Sequence, residues 1–320
     1  MSVVLGRYEG YLSLDLLRNE LSKAIDDVQE AVLYRHTMPI FWWKILQWLN
    51  VGREKRLSEA WKTRDSLLRK YITLRRESLS KGIDAMDMLS MYIKCLQELC
   101  KDDMFLRDTM FSMFIAGWDT VASGLIWFLW LVSKTPRVEA KIIDELKLVA
   151  KKGGPEIKFS WMFDSDDLKG LVYLHAALNE SLLLCPPVPM NSKGVFKKDV
   201  LPDGSIVKPG MQIILSFYSE GKMPWIWGED SLDFKPERWI DNEGKIGHEL
   251  MSKFFVFGTG PRTCLGKDVA YTQLKSAAAA ILFNSEIEVM EGQNIVPGQF
   301  INLHMKSGLK VKVRQREMQI

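Results

Sequence analysis

The spacing of apolar residues along the chain predicts a mainly helical protein. Residues 13–35 carry leucine, valine and alanine at steps of three and four, which is the spacing of one face of an amphipathic helix. The same spacing, bounded by proline, glycine or capping residues, predicts further helices over 54–79, 86–99, 103–134, 136–152, 165–185 and 267–284.

Shorter runs in the second half of the chain predict strands. These runs lie at 195–196, 205–207 and 211–217. Near the C-terminus, Ile287 and Val289 alternate, followed by the runs 300–305 and 309–313, and we expect these segments to form a terminal hairpin. The predicted fold class is therefore mainly α with a minor β region, and we expect a single domain over 1–320.

The helix predicted over 103–134 is long and strongly apolar. Its length is sufficient to cross a bilayer. It contains Asp108 and Asp119, however, and a carboxylate in the middle of a membrane span is costly in lipid. We therefore expect a helix that runs through the interior of the protein.

Aromatic residues are concentrated in the segment 40–49, which follows Pro39. They are Phe41, Trp42, Trp43 and Trp48. Three interpretations are open: protein core, the wall of a substrate cavity, or a surface that dips into a membrane. Core is the default, because aromatic side chains dominate interior burial.

The composition is that of a globular protein, with 47% hydrophobic and 26% charged residues. The net charge is +3 and there is no basic tract, so we expect no nucleic-acid partner. The cysteines show no C-x-x-C spacing, which favours reduced thiols. They are Cys95, Cys100, Cys185 and Cys264. The first ten residues are mixed and polar, unlike a signal peptide or membrane anchor.

One cysteine lies in a distinctive segment, Phe257-Gly258-Thr259-Gly260-Pro261-Arg262-Thr263-Cys264-Leu265-Gly266, called the cysteine loop below. Cys264 comes just before the helix predicted over 267–284, where free N–H groups and the helix dipole favour a thiolate. Glycines let the backbone lie against a planar group, and Arg262 can bind a carboxylate on that group. A small buried residue is the usual role of a cysteine. These neighbours instead indicate a haem whose iron is held by cysteine.

The cysteine loop resembles the haem-binding loop of the cytochrome P-450 monooxygenases, because it matches the pattern F-x-x-G-x-R-x-C-x-G at every fixed position. The resemblance implies that Cys264 is the ligand of the iron in haem b. It also implies that the haem is bound by loop residues, namely Phe257, Gly258, Gly260, Arg262, Cys264 and Gly266.

A second match lies in the centre of the 103–134 helix. The run Ala116-Gly117-Trp118-Asp119-Thr120 is similar to the oxygen-activation motif of the same family, A/G-G-x-D/E-T. The resemblance implies that Ala116 and Gly117 border the haem. It further implies that Asp119 and Thr120 are catalytic and relay protons to dioxygen. The alternative for Thr120 is structural: its hydroxyl bonds to the carbonyl four residues earlier and bends the helix.

The chain departs from the family in the helix predicted over 165–185. The family has E-x-x-R there, whereas this chain has Glu180 and Leu183. In the family the arginine completes a buried network with the glutamate and a later arginine, which corresponds to Arg238. We therefore expect that Leu183 leaves Glu180 short of a partner and that Leu183→Arg stabilises the protein. His175, on the same helix, is expected to be an ordinary half-buried histidine.

The resemblance is closest to the plant branch that hydroxylates fatty acids and alkanes, and it covers the C-terminal portion of the P-450 fold. It implies insertion of one oxygen atom from O2 into a C–H bond of a long-chain aliphatic substrate. Electrons would come from NADPH through a flavoprotein reductase. We expect a monomer at the endoplasmic reticulum membrane, although this chain shows no anchor. The alternatives are a truncated, inactive haem-binding remnant or an incomplete gene model and, third, a membrane-spanning binding protein.

Overall fold

The computed structural model describes residues 4, 20–83, 86–95, 102–152, 163–298 and 301–316. It divides into two compact units. The first unit is Met1–Asp119 with Gln299–Ile301, and the second is Thr120–Gly298 with Asn302–Ile320. Helices predominate and the strands are short, which confirms the predicted fold class. That the whole chain forms one domain stays a prediction.

The first unit is helical. Its helices are α1 (Glu20–Thr37), α2 (Ile40–Leu49), α3 (Gly52–Ser80), α4 (Met88–Cys95) and the first half of α5 (Asp103–Ser133). Leucine, isoleucine and phenylalanine side chains from α1, α3, α4 and α5 form its main apolar cluster. The Arg35 guanidinium of α1 also forms two hydrogen bonds, of 2.9 and 2.6 Å, with the buried Glu54 carboxylate of α3. The predicted residues 13–19 and 96–99 lie outside the described residues.

The aromatic segment forms α2, and it is not part of the core. None of the side chains of α2 is buried, and Phe41 and Trp48 are 65% and 84% exposed. The helix ends at Leu49, and the next residue, Asn50, adopts a left-handed conformation and donates its N–H to the carbonyl of Gln47 at 3.1 Å. The default prediction of core burial is wrong here: Trp43 and Leu46 are half-buried, and the other side chains of α2 are exposed.

Helix α5 supplies core residues to each unit. Phe114 is buried in the first unit, and Phe128 and Val132 are buried in the second. Among the described residues α5 alone is long and apolar enough to cross a membrane, judged by length and composition. A third of the residues in its most apolar stretch are buried, so the expectation that α5 runs through the interior of the protein stays a prediction.

The second unit contains further helices and two short 3-10 turns, at Pro236–Trp239 and Gly260–Arg262. The helices are α6 (Pro136–Lys152), α7 (Ser165–Lys169), α8 (Val172–Leu184), α9 (Phe217–Glu220), α10 (Pro224–Trp227), α11 (His248–Met251) and α12 (Lys267–Asn284). The bounds predicted for α12 are confirmed. The apolar cluster of the second unit is built mainly from the second half of α5 with α6, α8 and α12.

The single helix predicted over 165–185 is wrong, because the structure has two helices there. Helix α7 ends at Lys169 and α8 begins at Val172. The Glu145 carboxylate of α6 accepts the N–H groups of Tyr173 at 2.7 Å and Leu174 at 2.9 Å. In a continuous helix these N–H groups would bond to carbonyls of the preceding turn. Here they belong to the first turn of a new helix, and the Glu145 carboxylate accepts them instead.

The strands form three antiparallel pairs: β1 (Met190–Gly194) with β4 (Gln212–Ser216), β2 (Asp199–Val200) with β3 (Ile206–Val207), and β5 (Ser285–Val289) with β6 (Val311–Gln315). The predicted strand at 195–196 is displaced, since β1 ends at Gly194. Val195 continues the ladder outside the strand: its N–H donates to the Met211 carbonyl at 2.9 Å, and its carbonyl accepts the Gly210 N–H at 3.3 Å.

The prediction of strands in the C-terminal tail is confirmed in part: β5 contains Ile287 and Val289 and pairs with β6, whereas the strand predicted at 300–305 is wrong. In the described residues 301–305 there is no strand, and Met305 forms only an isolated bridge with Pro297. The backbone of Leu303 is already used: its carbonyl accepts the Ser123 hydroxyl at 2.8 Å, and its N–H donates to the Pro187 carbonyl at 2.8 Å.

Candidate functional site

The cysteine loop is a closed turn that ends at the start of α12. The Cys264 N–H donates to the Phe257 carbonyl at 2.8 Å, and the Thr263 N–H donates to the Gly260 carbonyl at 3.1 Å. Gly258 and Gly260 have φ angles of 70° and 69°, a left-handed conformation that glycine adopts without strain. The Cys264 thiol is exposed. The loop therefore presents one cysteine from a fixed backbone.

The surroundings of the loop leave room for a flat group. A Cβ added at Gly260 or Gly266 would meet no atom within 4 Å. Arg262 is exposed, and within the described part of the chain no ion pair involves its guanidinium. These groups fit a haem with carboxylate side chains: a thiol can bind the iron, a guanidinium can bind a carboxylate, and the glycines leave space for the flat ring.

A second feature of this unit is a buried carboxylate, Glu180, on α8. It is fully buried. It accepts hydrogen bonds from Arg238 Nε at 3.0 Å, from Trp239 Nε1 at 2.7 Å and from the Lys235 backbone N–H at 3.1 Å. Burial raises the pKa of Glu180, and the Arg238 charge and these hydrogen bonds act in the opposite direction. The Trp239 and Lys235 donors were missed by sequence reasoning, which found only Arg238.

Leu183 is part of the apolar core of the second unit, with 1% exposure. Gly221 lies directly against it, because a Cβ added at Gly221 would collide with the Leu183 carbonyl. The expectation that Leu183 leaves Glu180 short of a partner is therefore wrong. Three donors surround the carboxylate without any contribution from position 183.

The residues of the second motif all lie on α5, which is continuous through them. In the first unit, Ala116 and Gly117 are exposed, and a Cβ added at Gly117 would meet no atom within 4 Å. Asp119 is buried and accepts a hydrogen bond from Gln29 Nε2 of α1 at 2.8 Å. Thr120 is half-buried in the second unit. Gln29 was missed by sequence reasoning, because nothing in the 13–35 pattern links it to Asp119.

The sequence profile of the cytochrome P450 family matches residues 10–311. The chain belongs to the cytochrome P450 family. It is 41% identical to alkane hydroxylase MAH1 of Arabidopsis thaliana, over 95% of this chain and 61% of that protein. It is 39% identical to noroxomaritidine synthase 2 of Narcissus pseudonarcissus, over 93% of this chain and 58% of that protein. It is 37% identical to cytochrome P450 86B1 of Arabidopsis thaliana, over 93% of this chain and 55% of that protein. The chain thus spans about three fifths of the length of these relatives.

Proteins of the cytochrome P450 family are oxidoreductases that bind haem and receive electrons from NADPH through a reductase. The residues of the cysteine loop fit that cofactor in the ways described above. That the loop residues, Cys264 in particular, are the ones that hold the haem in this chain stays a prediction.

The other titratable residues near these elements fit structural roles. His175 is half-buried, as predicted, and burial followed by the charges of Lys275 and Lys267 lowers its pKa to about 4. Burial raises the pKa of the Cys185 thiol to about 12, so that this cysteine stays protonated. Of the cysteines that the structure describes, Cys264 is the one placed in a glycine-rich loop at a helix start.

Proposed function

We propose that the chain supplies the haem-thiolate site of a monooxygenase that inserts one oxygen atom from O2 into a C–H bond of a long-chain aliphatic substrate. The cysteine loop carries the proposal, because its closed backbone holds an exposed Cys264 beside glycines that allow a flat group to approach. The relative named alkane hydroxylase, at 41% identity, supports the substrate class.

Each proposed site residue has a distinct task. Cys264 is the iron ligand, and Arg262 binds a haem carboxylate. When bound, haem supplies the one-electron and oxygen chemistry that protein side chains lack. Phe257, Gly258, Gly260 and Gly266 shape the loop around it.

On α5, Ala116 and Gly117 are small enough to let substrate and haem come close to the helix. Thr120 and Asp119 hold and move protons, since a hydroxyl and a carboxylate can pass a proton in turn. Gln29 fixes the Asp119 carboxylate through its 2.8 Å hydrogen bond and so limits the directions in which that proton can move.

The proposal includes partners and location. The substrate is small and hydrophobic, the electron donor is a flavoprotein reductase that uses NADPH, and the protein acts as a monomer at the endoplasmic reticulum membrane. A second candidate substrate class is that of the relatives named noroxomaritidine synthase, at 39% identity. Spectral titration of the haem-loaded chain with a long-chain alkane and, separately, with the substrate of a noroxomaritidine synthase distinguishes the two classes.

Haem ligation is tested on the chain reconstituted with haem, reduced and exposed to carbon monoxide. We expect the strongly red-shifted Soret band of a thiolate ligand, and Cys264→Ala should abolish it. Cys95→Ala is the matched control, because Cys95 is also exposed and should not affect the band. A red-shifted band that survives Cys264→Ala would refute the assignment. A band without product formation when reductase and NADPH are added would favour haem binding without turnover.

A further inference from the structure

The ring of Phe257, the first residue of the cysteine loop, packs between two aromatic rings of the second unit. The Tyr271 centroid of α12 lies 5.1 Å away with the planes at 41°, and the Phe254 centroid lies 6.2 Å away at 69°. The Phe257 carbonyl is the group that accepts the Cys264 N–H at 2.8 Å. A shift of the Phe257 ring would therefore displace the oxygen that holds Cys264.

Tyr271 itself is fixed at its hydroxyl and on its ring. The hydroxyl donates to Asn179 Oδ1 at 2.6 Å, and Asn179 is fully buried on α8. The ring stacks on His175, with centroids 4.4 Å apart and planes at 28°. Burial raises the pKa of Tyr271, so the hydroxyl remains a donor. A buried tyrosine with a bonded hydroxyl and two ring neighbours has little freedom to rotate.

We propose that Tyr271 is a positioning residue for the cysteine loop: it fixes the Phe257 ring and, through the Phe257 carbonyl, the place of Cys264. Groups behind a metal ligand commonly set the orientation of that ligand. The consequence for iron ligation rests on the function proposed above. The effect on the position of the loop does not rest on the proposed function, because the contacts involved lie within the protein.

Phe254, the other aromatic neighbour of Phe257, has support of its own. Glu180, which follows Asn179 on α8, accepts a hydrogen bond from Trp239, and the Trp239 ring lies 5.0 Å from that of Phe254. Loss of the Tyr271 ring should therefore loosen the loop while the contacts of Phe254 with Trp239 stay in place.

Hydrogen exchange of the Cys264 amide in the chain without haem tests the effect on the loop. Tyr271→Leu keeps an apolar side chain but removes the ring and the hydroxyl. We expect about three- to tenfold faster exchange at Cys264, the range that corresponds to the loss of an aromatic pair. Tyr271→Phe, which keeps the ring, should give a smaller change and keeps the test usable if Tyr271→Leu folds poorly. Leu282→Ala is the matched control, since Leu282 is buried in the same helix and should not affect the Cys264 amide selectively.

The haem-loaded chain gives a second readout. Tyr271→Leu should speed haem dissociation about tenfold and convert the red-shifted carbon monoxide band to the form without thiolate. If the wild type shows the band, and Tyr271→Leu changes neither dissociation nor Cys264 exchange, the positioning role is refuted and the proposed function stands. If the wild type shows no band, the proposed function fails, and the exchange result alone supports or overturns the role of Tyr271.

Discussion

Leu183→Arg would place a guanidinium in a closely packed part of the second unit. Leu183 has 1% exposure, and its Cδ1 would lie only 3.0 Å from a Cβ added at Gly221. A longer side chain therefore cannot extend there without moving its neighbours. The Glu180 carboxylate, three residues earlier on α8, already accepts hydrogen bonds from Arg238, Trp239 and the Lys235 backbone.

The expected change in the free energy of unfolding follows from opposing terms. Loss of the buried leucine costs about 1.5–3 kcal/mol. Overfilling a packed core costs roughly another 1–3 kcal/mol. A carboxylate has about four acceptor positions, and three donors already surround Glu180, so the new group can gain about one charged hydrogen bond, worth about 1.5–3 kcal/mol. These terms balance at a destabilisation of about 2 kcal/mol, and taking the guanidinium charge out of water adds to it, so Leu183→Arg should cost at least about 2 kcal/mol.

Urea unfolding of the chain without haem measures this balance. Leu183→Met is the control, because a swap that conserves volume should cost less than about 1.5 kcal/mol. Adding Glu180→Ala to Leu183→Arg should not relieve the loss. If Leu183→Arg instead raises the free energy of unfolding and Glu180→Ala removes that gain, the guanidinium has joined the Glu180 network and this account of Leu183 is refuted.

Three further changes test other parts of the structure. Trp239→Phe removes the indole donor from Glu180 and should lower the free energy of unfolding by about 1–3 kcal/mol; Trp227→Phe, whose indole bonds to a half-buried carboxylate, should cost less. The pKa of His175 falls from 6.5 to about 4 on folding, so the unfolded chain takes up the proton first, and stability is full above pH 6.5 and is lost towards pH 4. His175→Phe should remove this contribution in unfolding measurements, whereas those of carboxylates such as Glu145 and Glu180 remain, and an unchanged profile would contradict the lowered pKa of His175. Thr120→Ala should raise peroxide release per product in a preparation that turns over, whereas loss of haem with unchanged coupling would show that Thr120 is structural.

Local patterns predicted the elements whose structure depends on neighbours in sequence. Helix α12 lies at the bounds that its apolar spacing and the preceding glycine indicate, from Lys267 to Asn284. The glycines of the cysteine loop likewise adopt the conformations that only glycine adopts readily, at Gly258 and Gly260. In both cases the determining interactions lie within a few residues.

The predictions that failed depend on contacts between distant residues. The break between α7 and α8 is set by Glu145, which lies 28 residues before the N–H of Tyr173 that it accepts. The segment after Ile301 forms no strand because Ser123 bonds to the Leu303 carbonyl from 180 residues away. The donors around Glu180 are also far from it in sequence, up to 59 residues for Trp239. Apolar spacing holds no information about such partners.

The exposed aromatic side chains of α2 affect how the protein behaves at high concentration. Phe41, Trp42 and Trp48 lie on a helix with a single charged residue, Lys44, and a continuous apolar surface of this kind favours association in water. Light scattering should therefore rise with protein concentration and fall when a mild detergent is added. Trp48→Lys should raise the solubility limit without lowering the unfolding temperature, because the indole has no buried contacts to lose.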